Sequence, residues 1–149
     1  MSPFPHELAL TEEQLDSIML SMWNMRIATI GPGSRINLTP MWFDYDGDHV
    51  LVNTAAHRSK CGWIRNNPEL TILVVNPDNP YHWVQIKCTV EREELEEGET
   101  GAKVTQQVDK IWQKYTGNEP PYGLRDPSID EKRVLFVCRV DRIATFGKP

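Results

Sequence analysis

Apolar positions along the chain recur with two periods. Leu15, Ile18, Met19 and Met22 stand three and four apart. They follow Thr11-Glu12-Glu13-Gln14, a capping-box pattern with Thr at the N-cap and Gln at N3. This predicts a helix over residues 12–22. Val104, Val108, Ile111, Trp112 and Tyr115 form a second helical stripe, predicting a helix over 100–115. Other segments read as strands: 26–30, 35–45, 49–54, 70–75, 81–92 and 132–146. The run 70–75 is almost wholly apolar, the pattern of a central, buried strand. Residues 81–92 alternate, with Val84, Ile86, Cys88 and Val90 facing one way and Trp83, Gln85, Lys87 and Thr89 the other. Gly31-Pro32-Gly33-Ser34 and Asp46-Gly47-Asp48 mark turns, and 118–129 reads as a loop. A short helix follows Ser59 and stops at Asn66-Asn67-Pro68.

The order is therefore helix, three strands, helix, two strands, helix, strand. Strands joined mostly by hairpins favour a mainly β protein with flanking helices. The expected form is a six-stranded antiparallel barrel rather than a doubly wound parallel sheet. Residues 1–149 read as one domain, with 1–10 as an arm.

Composition narrows the function. A formal net charge of -5 argues against a general nucleic-acid or membrane-surface binder, which needs a basic field. The acidity is concentrated in Glu91–Glu99, of which Glu93–Glu99 reads as a solvated turn. Cys61, Cys88 and Cys138 are widely spaced, with no CxxC and no zinc spacing to histidine. Buried, reduced thiols in a cytoplasmic protein are the simplest reading. No apolar stretch approaches the ~18 residues of a membrane span. GxGxxG and GxxxxGK[ST] are both absent, which removes two common nucleotide-binding architectures.

The stretch Asn53–Pro68, NTAAHRSKCGWIRNNP, carries the candidate chemistry. Thr54, His57, Arg58, Ser59 and Lys60 fall between a strand and a helix, with Ser59 as the expected N-cap and Lys60 in the first turn. Unpaired N–H groups and the positive end of the helix dipole add to the two cations, a plausible phosphate cradle. The plainer reading is a basic loop facing solvent. His57 reads as an exposed loop histidine, and Cys61 as a buried small residue. Trp42 and Trp83 read either as walls for a planar ring or as core and interface aromatics.

The order and spacing of these motifs resemble a known superfamily. They are Ile27-Ala28-Thr29-Ile30 and a Gly turn, Thr39-Pro40-Met41-Trp42-Phe43 running into Asp46-Gly47-Asp48, Asn53-Thr54, and Arg58-Ser59-Lys60. Asn76–Tyr81, Arg133-Val134-Leu135-Phe136 and Arg142-Ile143 complete the set. The chain resembles the pyridoxamine 5'-phosphate oxidase-like superfamily of flavin-binding split barrels. It is most similar to the short F-420-dependent oxidoreductases. The resemblance implies a six-stranded split barrel that forms a homodimer, with cofactor grooves at the interface. It implies coenzyme F-420, a deazaflavin, with FMN as the alternative, and hydride transfer to a small conjugated substrate. A non-catalytic flavin-, deazaflavin- or haem-binding protein is the further alternative. The ring is expected along Pro40, Met41, Trp42 and Phe43, the phosphate at Thr54, Arg58, Ser59 and Lys60, and Trp83 at the partner's groove. Arg58 and Ser59 stand in the reverse order from the Ser-Arg-Lys of pyridoxamine phosphate oxidases, and the C-terminal substrate segment of those enzymes is missing.

Overall fold

The computed structural model describes residues 10–21, 23 and 25–147. Residues 1–9, most of the expected arm, and Met22 lie outside the described residues.

Helix α1 (Glu12–Met19) begins on its capping box. Thr11 Oγ1 accepts the Gln14 N–H at 3.2 Å, and Gln14 Oε1 accepts the Thr11 N–H at 3.1 Å. The helix stops at Met19, short of the expected end, and Leu20 already lies 57% exposed. The strands are β1 (Met25–Ile30), β2 (Ile36–Met41), β3 (Asp44–Tyr45), β4 (His49–Ala55), β5 (Glu69–Val75), β6 (Trp83–Leu95) and β7 (Arg133–Phe146). Helix α2 (Ser59–Asn66) follows β4, and α3 (Gly101–Thr116) follows β6.

The sheet has seven strands, not six, all antiparallel in the order β2-β1-β5-β6-β7-β4-β3. The added strand comes from one break in the segment read as continuous over 35–45, at Trp42-Phe43. There the backbone turns away from strand pairing because side chains of α3 serve it instead. The Tyr115 hydroxyl accepts the Phe43 N–H at 3.4 Å, and Lys114 Nζ donates to the Phe43 carbonyl at 3.0 Å. With its polar groups met this way, the backbone needs no ladder partner.

The sheet curls into an antiparallel half-barrel. Register shifts in β6, between Lys87 and Cys88 and between Val90 and Arg92, bend it along its length. Val84, Ile86 and Cys88 are buried as the alternation predicts, but Val90, beyond the first shift, is half-buried. The inner face carries the main core, including Ile27, Ile72, Val74, Ile86 and Phe136, with all of these at most 1% exposed. Cys61, Cys88 and Cys138 are buried thiols, as expected.

The two halves of the sheet differ on the outer face. Helix α3 covers β4 and the start of β7, where Leu51, Val104, Leu135 and Val137 form a second core. Nothing among the described residues covers β1, β2 and β5 in the same way. The run 70–75 is therefore buried on one side only: Leu70, Ile72 and Val74 point inward, while Leu73 and Val75 stay half-exposed. A continuous apolar run hides this difference, because it reads the same whether the second face is covered or bare.

The acidic run is a solvated turn only in part: Glu97 and Glu99 are exposed, but β6 extends to Leu95 and takes in the first of its glutamates. Glu93 ion-pairs with Arg65. Glu94 is 8% exposed and accepts from Lys103 Nζ at 2.8 Å. Glu96 accepts two bonds of 2.7 Å from the Arg125 guanidinium, and further bonds from Thr105 Oγ1 and the Arg133 N–H. Burial alone would raise the Glu96 pKa, but the bonds from Arg125 and Thr105 outweigh it and hold the carboxyl below its usual range. The run thus anchors the strap of residues 118–132 to the end of β6.

Replacing Arg125 with Met leaves the Glu96 carboxylate half-buried with fewer donors. It should cost about 2 kcal/mol at neutral pH, read from urea unfolding with an unchanged m value. Glu96 contributes stability that is full above its unfolded pKa of 4.5 and lost as pH falls through the lower folded value. The gap between wild type and variant should therefore close as the pH drops below 4.5.

Candidate functional site

Residues from distant parts of the sheet meet at one groove of about 700 Å³. Its wall takes Asn37, Thr39, Pro40 and Met41 from β2, Trp42 beyond it, and Asn53, Thr54 and Ala55 from β4. Strands β2 and β4 lie toward opposite ends of the sheet order, and the curl brings them together, spanned by the short Trp42-Phe43 link from β2 to β3 beside β4. The loop and first turn of α2 add Arg58, Ser59 and Lys60, and Trp63 follows one turn later. Val108 and Ile111 of α3 and Tyr122 and Leu124 of the strap close the far side, with Arg133 at the start of β7.

The expected helix start shifts by one residue. Arg58, not Ser59, is the N-cap of α2, with extended φ of -67° and ψ of 138° and no side-chain capping bond. Ser59 is the first helical residue. An N-cap side chain that makes no cap leaves the Arg58 guanidinium at the groove. His57 is exposed and does not line the groove. Burial pushes the Cys61 thiol up rather than activating it, and its sulfur donates to the Ala55 carbonyl at 3.4 Å.

Lys60 carries the main electrostatic feature. Its ammonium donates to Thr39 Oγ1 at 3.0 Å and contacts Met41 Sδ at 3.1 Å. Both are neutral, and among the described residues no carboxylate pairs with it. Burial first, then the neighbouring Arg58 charge, lower its pKa. A half-buried cation with a second cation beside it is unfavourable until an anion arrives. The groove thus has an unmatched positive end.

Seven of the nine residues expected at a cofactor line this groove: Pro40, Met41, Trp42, Thr54, Arg58, Ser59 and Lys60. Phe43 does not. Its side chain is fully buried in the core, and its backbone is held by α3. Trp83 lies elsewhere on the sheet, stacked on Phe146 with ring centroids 6.0 Å apart. Trp42 stacks on Tyr115 at 5.0 Å and 3°.

Asn53, Trp63, Tyr122, Leu124 and Arg133 also line the groove and had not been assigned to it. Arg133 is 8% exposed and fully committed: it donates to Asn53 Oδ1 at 3.0 Å, to the Asn53 carbonyl at 3.1 Å and to Glu131 at 3.2 Å. The Tyr122 ring covers its guanidinium at 4.9 Å. Arg133 is therefore a strut that ties β4 to the strap rather than a free cation. Tyr122 and Leu124 stand in a Pro- and Gly-rich loop, where no local pattern marks them.

Below the groove, Lys114 lies 4.6 Å from the Phe43 ring centroid and 5.1 Å from that of Tyr115. Burial lowers its pKa to about 8, only partly offset by Asp44. The folded state therefore binds the Lys114 proton less tightly than the unfolded chain, whose value is 10.5. Its contribution to stability is full above 10.5 and lost as pH falls through 8. Wild type should gain stability relative to Lys114→Met between pH 8 and pH 10 in parallel thermal melts; a flat difference would mean that the lysine is not desolvated.

The fold and groove can now be set beside known proteins. No curated protein matches the chain. Among solved structures it is similar to an F420 reductase, with 26% identity, a TM-score of 0.69, and coverage of 94% of this chain and 98% of that one. It is also similar to a conserved hypothetical protein from Mycobacterium tuberculosis, with 20% identity, a TM-score of 0.67, and coverage of 97% and 89%. A FAD-binding protein from Mesorhizobium loti shares 18% identity at a TM-score of 0.57, with 90% of each chain covered. The latter two likenesses establish the fold alone. The sequence profile described as Pyridoxamine 5'-phosphate oxidase matches residues 12–147, nearly the whole chain. On that match and the curled antiparallel sheet, the chain belongs to the pyridoxamine 5'-phosphate oxidase family of split-barrel proteins.

Proposed function

We propose that the protein is an oxidoreductase that binds a deazaflavin, coenzyme F-420, in the groove and uses it to reduce a small conjugated substrate. One observation carries the reading: among the described residues, the half-buried Lys60 ammonium has only Thr39 and Met41 as partners, with Arg58 beside it. That arrangement suits a phosphate. Ser59 and Thr54 line the same end and add hydroxyl donors. Trp42, Pro40 and Met41 give the flat, largely apolar wall that a ring requires. The bound cofactor supplies the hydride chemistry, and the chain binds, orients and shields it. The likeness to an F420 reductase supports the deazaflavin.

A specific observation favours FMN as the second reading. A tail of glutamates needs cations beyond Lys60, and Arg65 is unavailable for it. Its Nε donates to Glu93 at 2.9 and 3.0 Å, and the pair is bidentate. The positive end is therefore compact, which suits a single phosphate.

We further propose a homodimer. The outer faces of β2, β1 and β5 present Ile36 (74% exposed), Leu38 (65%), Ile30, Leu73 and Val75, with Ile36 paired to Ile30, Leu73 to Arg26, and Val75 to Trp83 on β6. A bare apolar sheet face of this kind calls for a partner. Trp83 would then stand at the partner's groove.

Titrating the purified protein with oxidised F-420 and, separately, with FMN should give saturable fluorescence changes, the tighter ligand naming the cofactor. Absence of binding by both would sink the reading. Lys60→Met should weaken the bound cofactor by ~1.5–3 kcal/mol, the scale of a charge-assisted contact, without lowering thermal stability. Light scattering should report a dimer for wild type and a monomer for Leu38→Lys; a monomeric wild type would end the dimer proposal.

A further inference from the structure

Trp42 sits where strand pairing stops, between β2 and β3, yet it lines the groove. A tryptophan on an unpaired segment would ordinarily sample several rotamers. Here the last turn of α3 holds it from behind. The Tyr115 ring lies parallel to the indole, 5.0 Å between centroids and 3° between planes. The Tyr115 hydroxyl is committed twice, accepting the Phe43 N–H at 3.4 Å and donating to the Trp23 carbonyl at 3.1 Å. The side chain therefore cannot swing away from Trp42 without breaking both bonds. Lys114 fixes the next peptide along through the Phe43 carbonyl. Stack, hydroxyl and ammonium together hold residues 42 and 43 against α3.

We propose that Tyr115 is a positioning residue that fixes the Trp42 indole as the flat wall against which the cofactor ring lies. The inference rests on the reading of the groove as a flavin or deazaflavin site and deepens it. A ring stacked on one face by Tyr115 leaves the opposite face for a planar ligand. The cost of ordering a large aromatic side chain is met in folding, so binding does not bear it. Tyr115 does not line the groove, so its effect on a ligand passes through Trp42.

The probe is FMN, followed by flavin fluorescence and by the visible absorption and circular dichroism of the bound ring. Tyr115→Leu, which removes the stack, should weaken FMN about three- to tenfold, the range for freeing one such side chain, and should change the bound-flavin dichroism. Tyr115→Phe keeps the stack and loses both hydroxyl bonds, and should retain most of the wild-type spectrum. A merely structural role would lower the unfolding midpoint without moving the spectrum. If Tyr115→Leu fails to fold, Trp42→Leu replaces only the wall and should give the same spectral change. Wild-type affinity and dichroism in whichever variant folds would overturn the positioning role while leaving the cofactor reading intact. A wild type that binds neither FMN nor F-420 would overturn both.

Discussion

Strand β7 pairs with β4 along one edge and with β6 along the other, and most of the architecture follows from that double pairing. It joins β2-β1-β5-β6 to β4-β3 in one sheet. Its first residues are buried on both faces, inward against the main core and outward against α3. Because β6 is bent by its register shifts, the two halves close toward each other. The groove is the space they leave, with one wall from β2 and β4 together and the far side from α3 and the strap. Without β7 the cations of the α2 start would face an open sheet edge.

Within that frame the site is built from mismatched burial. Lys60 is drawn into a neutral setting, next to Arg58. Arg133, which lines the same groove, is neutralised by Glu131 and hydrogen-bonded by both oxygens of Asn53. The contrast separates the two kinds of cation. One is a strut whose charge is satisfied inside the fold, and the other keeps its charge unmatched at the groove. The acidic run makes the same distinction: Glu94 and Glu96 are consumed in tying α3 and the strap to β6, so their charge does not reach solvent.

Much of this was legible along the chain. The capping box at Thr11, the stripe of α3 and the alternation of β6 are local patterns, and each marks an element because a helix or strand exposes one face at a fixed period. Seven of nine expected cofactor residues line the groove because they lie in two short contiguous segments, 40–42 and 54–60. The misreadings have one physical origin. The break at Trp42-Phe43 depends on Tyr115 and Lys114, whose residues lie about 70 positions away, at separations of 72 and 71. The bare outer side of β5 depends on α3 packing over β4 and β7 instead. The burial of Glu96 depends on Arg125.

By itself, then, the sequence determined the types of the elements, their order, the antiparallel class and the segment that carries the groove's positive charge. Those depend on periodicity, turn chemistry and residue type within a few positions. Only the tertiary structure decided that β2 and β4 share one wall, that among the described residues Lys60 lacks a counter-ion while Arg133 has one, and that Trp42 is braced by Tyr115 while Phe43 turns into the core. Each of these is a contact between residues far apart in the chain, and its energy is set by burial and partner geometry that no local pattern encodes.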